Sequence, residues 1–256
     1  MSFTLGTQQF SSRLLLGSAG YPNLASLEQS LDAAGCQIVT VAIRRLNVDE
    51  IGGQDFIAAI KKNNRVILPN TAGCYTAKDA VLMAQLACEA FESNWVKLEV
   101  IADSYQLLPE PQELLAAAKN LIKQGIQVLP YCLDDPLLCR QLEDLGCLAV
   151  MPLGSPIGSG QGIRNPKAIE QIVAQAKVPV IIDAGIGSAS DVAFAMELGC
   201  DAVLLNTAVA KAQNPPLMAQ ALKEAIDCGR NAFKAGRIPI KDMATPSTTP
   251  KGLFFK

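Results

Sequence analysis

The chain has 256 residues, half of them hydrophobic, and a formal net charge of −2. That length can bury a substantial core, as one large α/β domain or two smaller ones, and the mild acidity excludes a nucleic-acid-binding surface, which needs concentrated Lys and Arg. The opening MSFTLGTQQFSSRLLLG is too polar for a signal peptide and no apolar run approaches a bilayer span, so a soluble, cytoplasmic protein is expected.

Histidine is absent, which rules out Ser-His-Asp triads, Cys-His dyads and histidine-ligated metals. The eight cysteines are scattered, with no C-x-x-C pair, and are expected to be reduced and mostly buried. Neither a metal nor a cofactor is expected. Acid-base chemistry must then come from carboxylates, lysine, tyrosine, cysteine or water.

In chain order, short apolar runs alternate with segments of helical spacing. The strand candidates are RLLLGS (13–18), CQIVTVAI (36–43), RVILPNT (65–71), NWVKLEVI (94–101), IQVLPYC (126–132), CLAVMPLG (147–154), VPVIIDAG (178–185) and DAVLLNTA (201–208). Between them lie LASLEQSLDAAG (24–35), TAKDAVLMAQLACEAF (76–91), PQELLAAAKNLIKQG (111–125), PLLCRQLEDLG (136–146), NPKAIEQIVAQA (165–176) and SASDVAFAMELG (188–199). Gly35, Gly125, Gly146 and Gly199 fall where a helix needs a left-handed terminator. Asp135 before Pro136 reads as a helix cap. Eight such units predict a parallel (β/α)8 TIM barrel over residues 1–236, with an open doubly wound sheet as the alternative. Residues 237–256 change to Pro, Ser and Thr and read as a C-terminal tail or lid with an apolar end, Leu253 to Phe255.

Barrel chemistry belongs at the carboxyl ends of the strands. There the chain places Lys97 and Glu99 on the fourth strand candidate, Asp183 on the seventh, and Asn206 and Thr207 on the eighth. Residues two apart on a strand share a face, about 6.6 Å apart, so Trp95, Lys97 and Glu99 point one way and Val96, Leu98 and Val100 the other. A buried Lys97–Glu99 ion pair is the bland explanation, but desolvating two charges is costly. A desolvated lysine should instead have a lowered pKa, an effect that ionised Glu99 would oppose, and offer a neutral amine to a carbonyl; a phosphate or carboxylate partner is the other possibility. DAGIGSASD (183–191) sets Gly185 and Gly187 before a helix start with a Ser188-x-x-Asp191 capping pattern, where backbone N–H groups can cradle an anion. With the eighth strand end, it favours a phosphorylated substrate. GSPIGSGQGIRN (154–165) could fold over that substrate or be a surface loop. Arg44 or Arg45 could bind an anion, and Tyr131 and Cys132 could line the pocket.

The ordered set SRLLLG (12–17), TAGCYTA (71–77), VKLEVI (96–101), VLPYCLDDP (128–136), VMPLGSPIGSGQG (150–162), VPVIIDAGIGSASD (178–191) and GCDAVLLNTA (199–208) resembles the bacterial thiazole synthases, transferases that build the thiazole phosphate half of thiamin. The resemblance implies that Lys97 holds 1-deoxy-D-xylulose 5-phosphate as an imine and that Glu99 and Asp183 are acid-base carboxylates, with Glu99 assigned to imine formation. It implies sugar-phosphate contacts from Gly158, Ala184, Gly185, Asn206 and Thr207. It also implies a sulfur-carrier protein with a C-terminal thiocarboxylate, a dehydroglycine-producing oxidase or lyase, and a homo-oligomer. The chain departs from the family pattern at Gly20, where lysine is common, and in its tail. A different Schiff-base sugar-phosphate aldolase or synthase barrel, or a non-catalytic phosphate-binding protein, are the competing readings.

Overall fold

Each barrel strand carries inward and outward apolar positions in alternation, so both faces of the sheet must be covered. The computed structural model describes residues 2–43 and 51–247. The chain opens with an antiparallel hairpin, β1 (Phe3–Leu5) and β2 (Gln8–Phe10). The eight barrel strands follow: β3 (Leu14–Gly17), β4 (Ile38–Ala42), β5 (Val66–Asn70), β6 (Trp95–Leu98), β7 (Gln127–Cys132), β8 (Met151–Pro152), β9 (Ile181–Asp183) and β10 (Ala202–Leu205). Every one falls inside a run picked out by apolar patterning. Sheet order is β8-β7-β6-β5-β4-β3-β10-β9, all parallel. Two single bridges, Val150 with Val180 and Leu153 with Asp183, join β8 to β9 and close the ring. The architecture is a (β/α)8 barrel, and the open-sheet alternative falls.

The helices are α1 (Leu24–Ala34), α2 (Ile51–Lys61), α3 (Ala77–Phe91), α4 (Pro111–Lys123), α5 (Pro136–Asp144), α6 (Pro166–Gln175), α7 (Ala189–Glu197), α8 (Thr207–Ala210) and α9 (Pro215–Ala235). Glu110, Asp135, Asn165 and Asn214 cap α4, α5, α6 and α9, each followed by a proline in the first turn, where its missing N–H costs nothing. Gly35, Gly125, Gly146 and Gly199 all take positive φ past helix ends, as their spacing predicts. Among the described residues no helix is long and apolar enough to cross a membrane.

The core has two layers. Leu14, Leu16, Val96, Leu98 and Val203 face outward into the helix-packed layer. Leu15, Ile38, Leu68, Trp95, Leu129 and Leu204 fill the barrel interior. The hairpin was not foreseen, because three-residue strands hold too few alternations to register. Its Phe3, Leu5 and Phe10 join the interior layer, and Phe10 meets Trp95 edge-on with centroids 6.1 Å apart, which stoppers the amino-terminal end. Arg13 pins this end by donating to the carbonyls of Ser2 and Asp201. Seven of the eight cysteines are buried thiols and Cys228 is exposed. Beyond α9 the chain from 237 to 247 forms no regular element and is exposed; Leu253 to Phe255 lie outside the described residues.

Candidate active site

The interior rung above Trp95 is polar. Lys97 lies two residues along β6, Glu99 follows the strand end, and Asp183 ends β9 on the other side of β7 and β8. All three are buried, with 6%, 6% and 3% of their surface exposed. Lys97 Nζ stands 2.6 Å from Asp183 Oδ2 and 3.2 Å from Glu99 Oε1. The pair expected on β6 is therefore a three-membered cluster, and the nearer carboxylate is not the one nearer in sequence.

This cluster overturns the expected low lysine pKa. Burial is the largest influence and pulls the ammonium down, but Asp183 and then Glu99 pull it up through charge and hydrogen bonding, leaving it above the ordinary lysine value. The strain appears on the acid instead. Burial raises Asp183, the Lys97 charge offsets only part of that, and the Glu99 charge adds to it, so the carboxyl titrates at about 6. Two carboxylates share one ammonium, and Asp183 is poised to take a proton near neutrality.

Neighbouring strands hold these groups. Thr71 Oγ1 donates to the Glu99 carbonyl and accepts from the Glu99 N–H, both at 2.8 Å, locking the backbone at the strand end. Asn70, in register with Lys97, donates to Thr40 Oγ1 at 3.0 Å. Thr40 and Asn70 both line the cavity and were not singled out from sequence, although the inward phase set by Ile38 and Leu68 points to them. Tyr131 and Cys132 do not line it. Tyr131 is fully buried with its ring centroid 5.7 Å from Lys97 Nζ, and Cys132 packs in the outer layer. Arg44 and Arg45 lie outside the described residues.

Above the cluster opens a cavity of about 610 Å³. Lys97, Glu99, Gly158, Asp183, Ala184, Gly185, Gly187, Asn206 and Thr207 all line it, so these nine candidates from three strand ends and two loops meet in one place. The glycine loop after β8 is locked rather than loose: Gly162 N–H donates to the Gly185 carbonyl at 2.9 Å and Gly154 N–H to the Asp183 carbonyl at 3.2 Å. A Cβ on Gly185, at φ +77°, would fall 2.0 Å from Ser155 Oγ, so only glycine fits there. Ala184 holds φ +65°, an uncommon conformation for a residue with a Cβ.

The start of α7 is not the open anion cradle expected there. The capping box forms, and Asp191 Oδ2 accepts the N–H groups of both Gly187 and Ser188 at 3.0 Å. α8 begins differently, with Asn206 as its cap but without a side-chain cap hydrogen bond. Asn206 instead donates to the Ala19 carbonyl at 2.9 Å and lies over Gly17, where a Cβ would come within 2.6 Å of it. Among the described residues no cluster of three or more His, Cys, Asp or Glu is placed to hold a metal ion.

Comparison with known proteins adds to this geometry. Residues 4–249 match the family model described as thiazole biosynthesis protein ThiG. A thiazole synthase of Sorangium cellulosum (strain So ce56) is 53% identical over 98% of this chain and 96% of its own. That of Geobacter metallireducens (strain ATCC 53774 / DSM 7210 / GS-15) is 52% identical, covering 96% of this chain and 95% of its own. Among solved structures, a chain of the Amycolatopsis orientalis BexX/CysO complex superposes with a TM-score of 0.85 at 31% identity, over 94% of this chain and 98% of that one. With the barrel and its buried lysine cluster, these matches show that the chain belongs to the ThiG family of thiamin biosynthesis, the thiazole synthases.

Proposed function

We propose that Lys97 forms an imine with the ketone of 1-deoxy-D-xylulose 5-phosphate, on the way to the thiazole phosphate of thiamin. The observation that carries this reading is the Lys97 amine buried between two carboxylates, 2.6 and 3.2 Å away, at the floor of the cavity. Charged Lys97 is not a nucleophile. Asp183, raised to about 6, is the nearer base across the shorter contact; with Lys97 held above the ordinary lysine value the transfer is uphill, and the small free-amine fraction is consumed as it adds to the carbonyl carbon. The carbinolamine hydroxyl then takes a proton from a carboxylic acid and leaves as water. This gives Asp183 the first proton transfer and revises the choice of Glu99, which is left for later shuttling. Tautomerisation moves the carbonyl along the sugar. A carrier protein's thiocarboxylate adds through sulfur at that carbon, its acyl group passes to the former carbonyl oxygen so that the carrier leaves as its carboxylate, and dehydroglycine from a separate oxidase or lyase closes the ring. The matching chain of the Amycolatopsis orientalis structure belongs to a complex of BexX with CysO, which supports a protein partner for this chain.

On this reading the sugar phosphate lies against Gly158, Ala184 and Gly185 and the start of α8 at Thr207. Borohydride reduction with 1-deoxy-D-xylulose 5-phosphate, followed by peptide mapping, tests it: an adduct on Lys97 is expected. An intact enzyme that forms none, or forms it elsewhere, refutes the imine.

A further inference from the structure

The charged groups lining the cavity among the described residues are Lys97, Glu99, Asp183 and Lys211. Lys97 is committed to the two carboxylates, and the three together carry one net negative charge when ionised. That centre repels a phosphate monoester of charge about −2. The nearby α7 N-terminus offers little relief, since Asp191 occupies two of its N–H groups. Lys211 is the remaining cation of the lining, and no described carboxylate pairs with it.

Its place in the fold suits an anion at the mouth. Lys211 closes α8, donating its N–H to the Thr207 carbonyl at 3.0 Å, so it stands one helical turn from Thr207. Its side chain runs back to the loop after β3: a Cβ on Gly20 would lie 3.7 Å from Lys211 Cε and 3.9 Å from Nζ. Gly20, with φ +79° and no side chain, leaves that space to the lysine. The Asn206 to Ala19 hydrogen bond ties the same two loops together. We propose that Lys211 is a specificity-determining residue that neutralises the substrate phosphate, making the cavity selective for phosphorylated over free sugar. This rests on the reading of the cavity as a sugar-phosphate site.

Lys211 is exposed and outside the ion cluster, so Lys211→Ala should leave the melting temperature unchanged. Two measurements on the full-length enzyme test it. In calorimetry with inorganic phosphate, Lys211→Ala should bind about tenfold more weakly than the parent, Lys211→Glu weaker still, and Lys211→Arg should recover most of the loss. In borohydride trapping, Lys211→Ala should raise the half-saturating concentration of 1-deoxy-D-xylulose 5-phosphate about tenfold with the same final adduct yield, and leave unphosphorylated 1-deoxy-D-xylulose unaffected. Equal phosphate binding by parent and Lys211→Ala overturns the proposal, as does an equal rise for both sugars. Weakened phosphate binding in an enzyme that forms no adduct supports Lys211 and refutes the imine at Lys97.

Discussion

The two ends of the barrel are built from the same strands and differ in kind. At the amino-terminal end Trp95 faces inward to meet Phe10 of the hairpin stopper. One inward step along β6, about 6.6 Å, the side chain is Lys97, held by two carboxylates under an open cavity. A dry end supplies stability and a charged end spends part of it, since buried ion clusters are seldom more stable than apolar packing. Chemistry and folding should therefore separate by position along one strand, and substitutions can test how cleanly.

The largest effect is expected from Lys97→Arg, which keeps the charge but cannot form an imine. Thiazole phosphate formation should fall by about four orders of magnitude, with a melting temperature near the parent's; residual activity above about 1% would place the chemistry elsewhere. Trp95→Ala should do the reverse. Removing the interior aromatic costs about 3–5 kcal/mol in chemical denaturation, while the molecules still folded should retain most of their turnover. A loss of turnover with no loss of stability would erase the contrast between the two ends.

Asp183→Asn sharpens the comparison through pH. The folded carboxyl titrates at about 6, above its ordinary 3.8, so the folded state binds the proton more tightly. Ionising Asp183 therefore costs stability progressively as pH rises from about 4 to 6. Relative to the parent, Asp183→Asn should gain on the order of 2–3 kcal/mol above that window and lose the advantage below it. In the parent, kcat/KM should rise with pH through about 6, and in Asp183→Asn that acid limb should vanish with a drop of roughly 100-fold or more in rate. Unfolding measured from pH 4 to 8 beside the rate profile checks both signs. The smallest effect belongs to Thr71→Val, which removes one hydroxyl bonded twice to Glu99. About 1–2 kcal/mol of stability should go, with a modest fall in kcat as the strand end loosens.

Much of this contrast was legible in the sequence. Eight apolar runs, irregularly spaced but interleaved with helical segments, point to the barrel, and the period of two places Lys97 and Glu99 beside Trp95 on one face. What local pattern cannot carry is distance across the ring. Asp183 is 86 positions from Lys97 in the numbering, yet it makes the shorter contact, and with Glu99 it lifts the lysine pKa above its ordinary value. The Asp191 carboxylate that closes the α7 start was visible as a capping pattern. Its consequence, competition with an anion for the same donors, follows only once both N–H groups are seen pointing at one oxygen. The hairpin stopper stayed hidden because its burial depends on what lies beneath the barrel, not on its own three-residue strands.

The ring closes unevenly. β4 and β5 pair over five positions, whereas β8 meets β9 only through two isolated bridges, one of them at Asp183 itself. A hoop under thermal agitation gapes first at its joint, and here the joint carries Asp183. Lys97 sits on β6, which pairs with β7 over four positions and with β5 at Asn70 alone, while Asp183 sits on β9, which pairs with β10 over three. Amide hydrogens at Ile181 and Gly154, which bond across this seam to the carbonyls of Val150 and Asp183, should therefore exchange ahead of those that join β6 to β7.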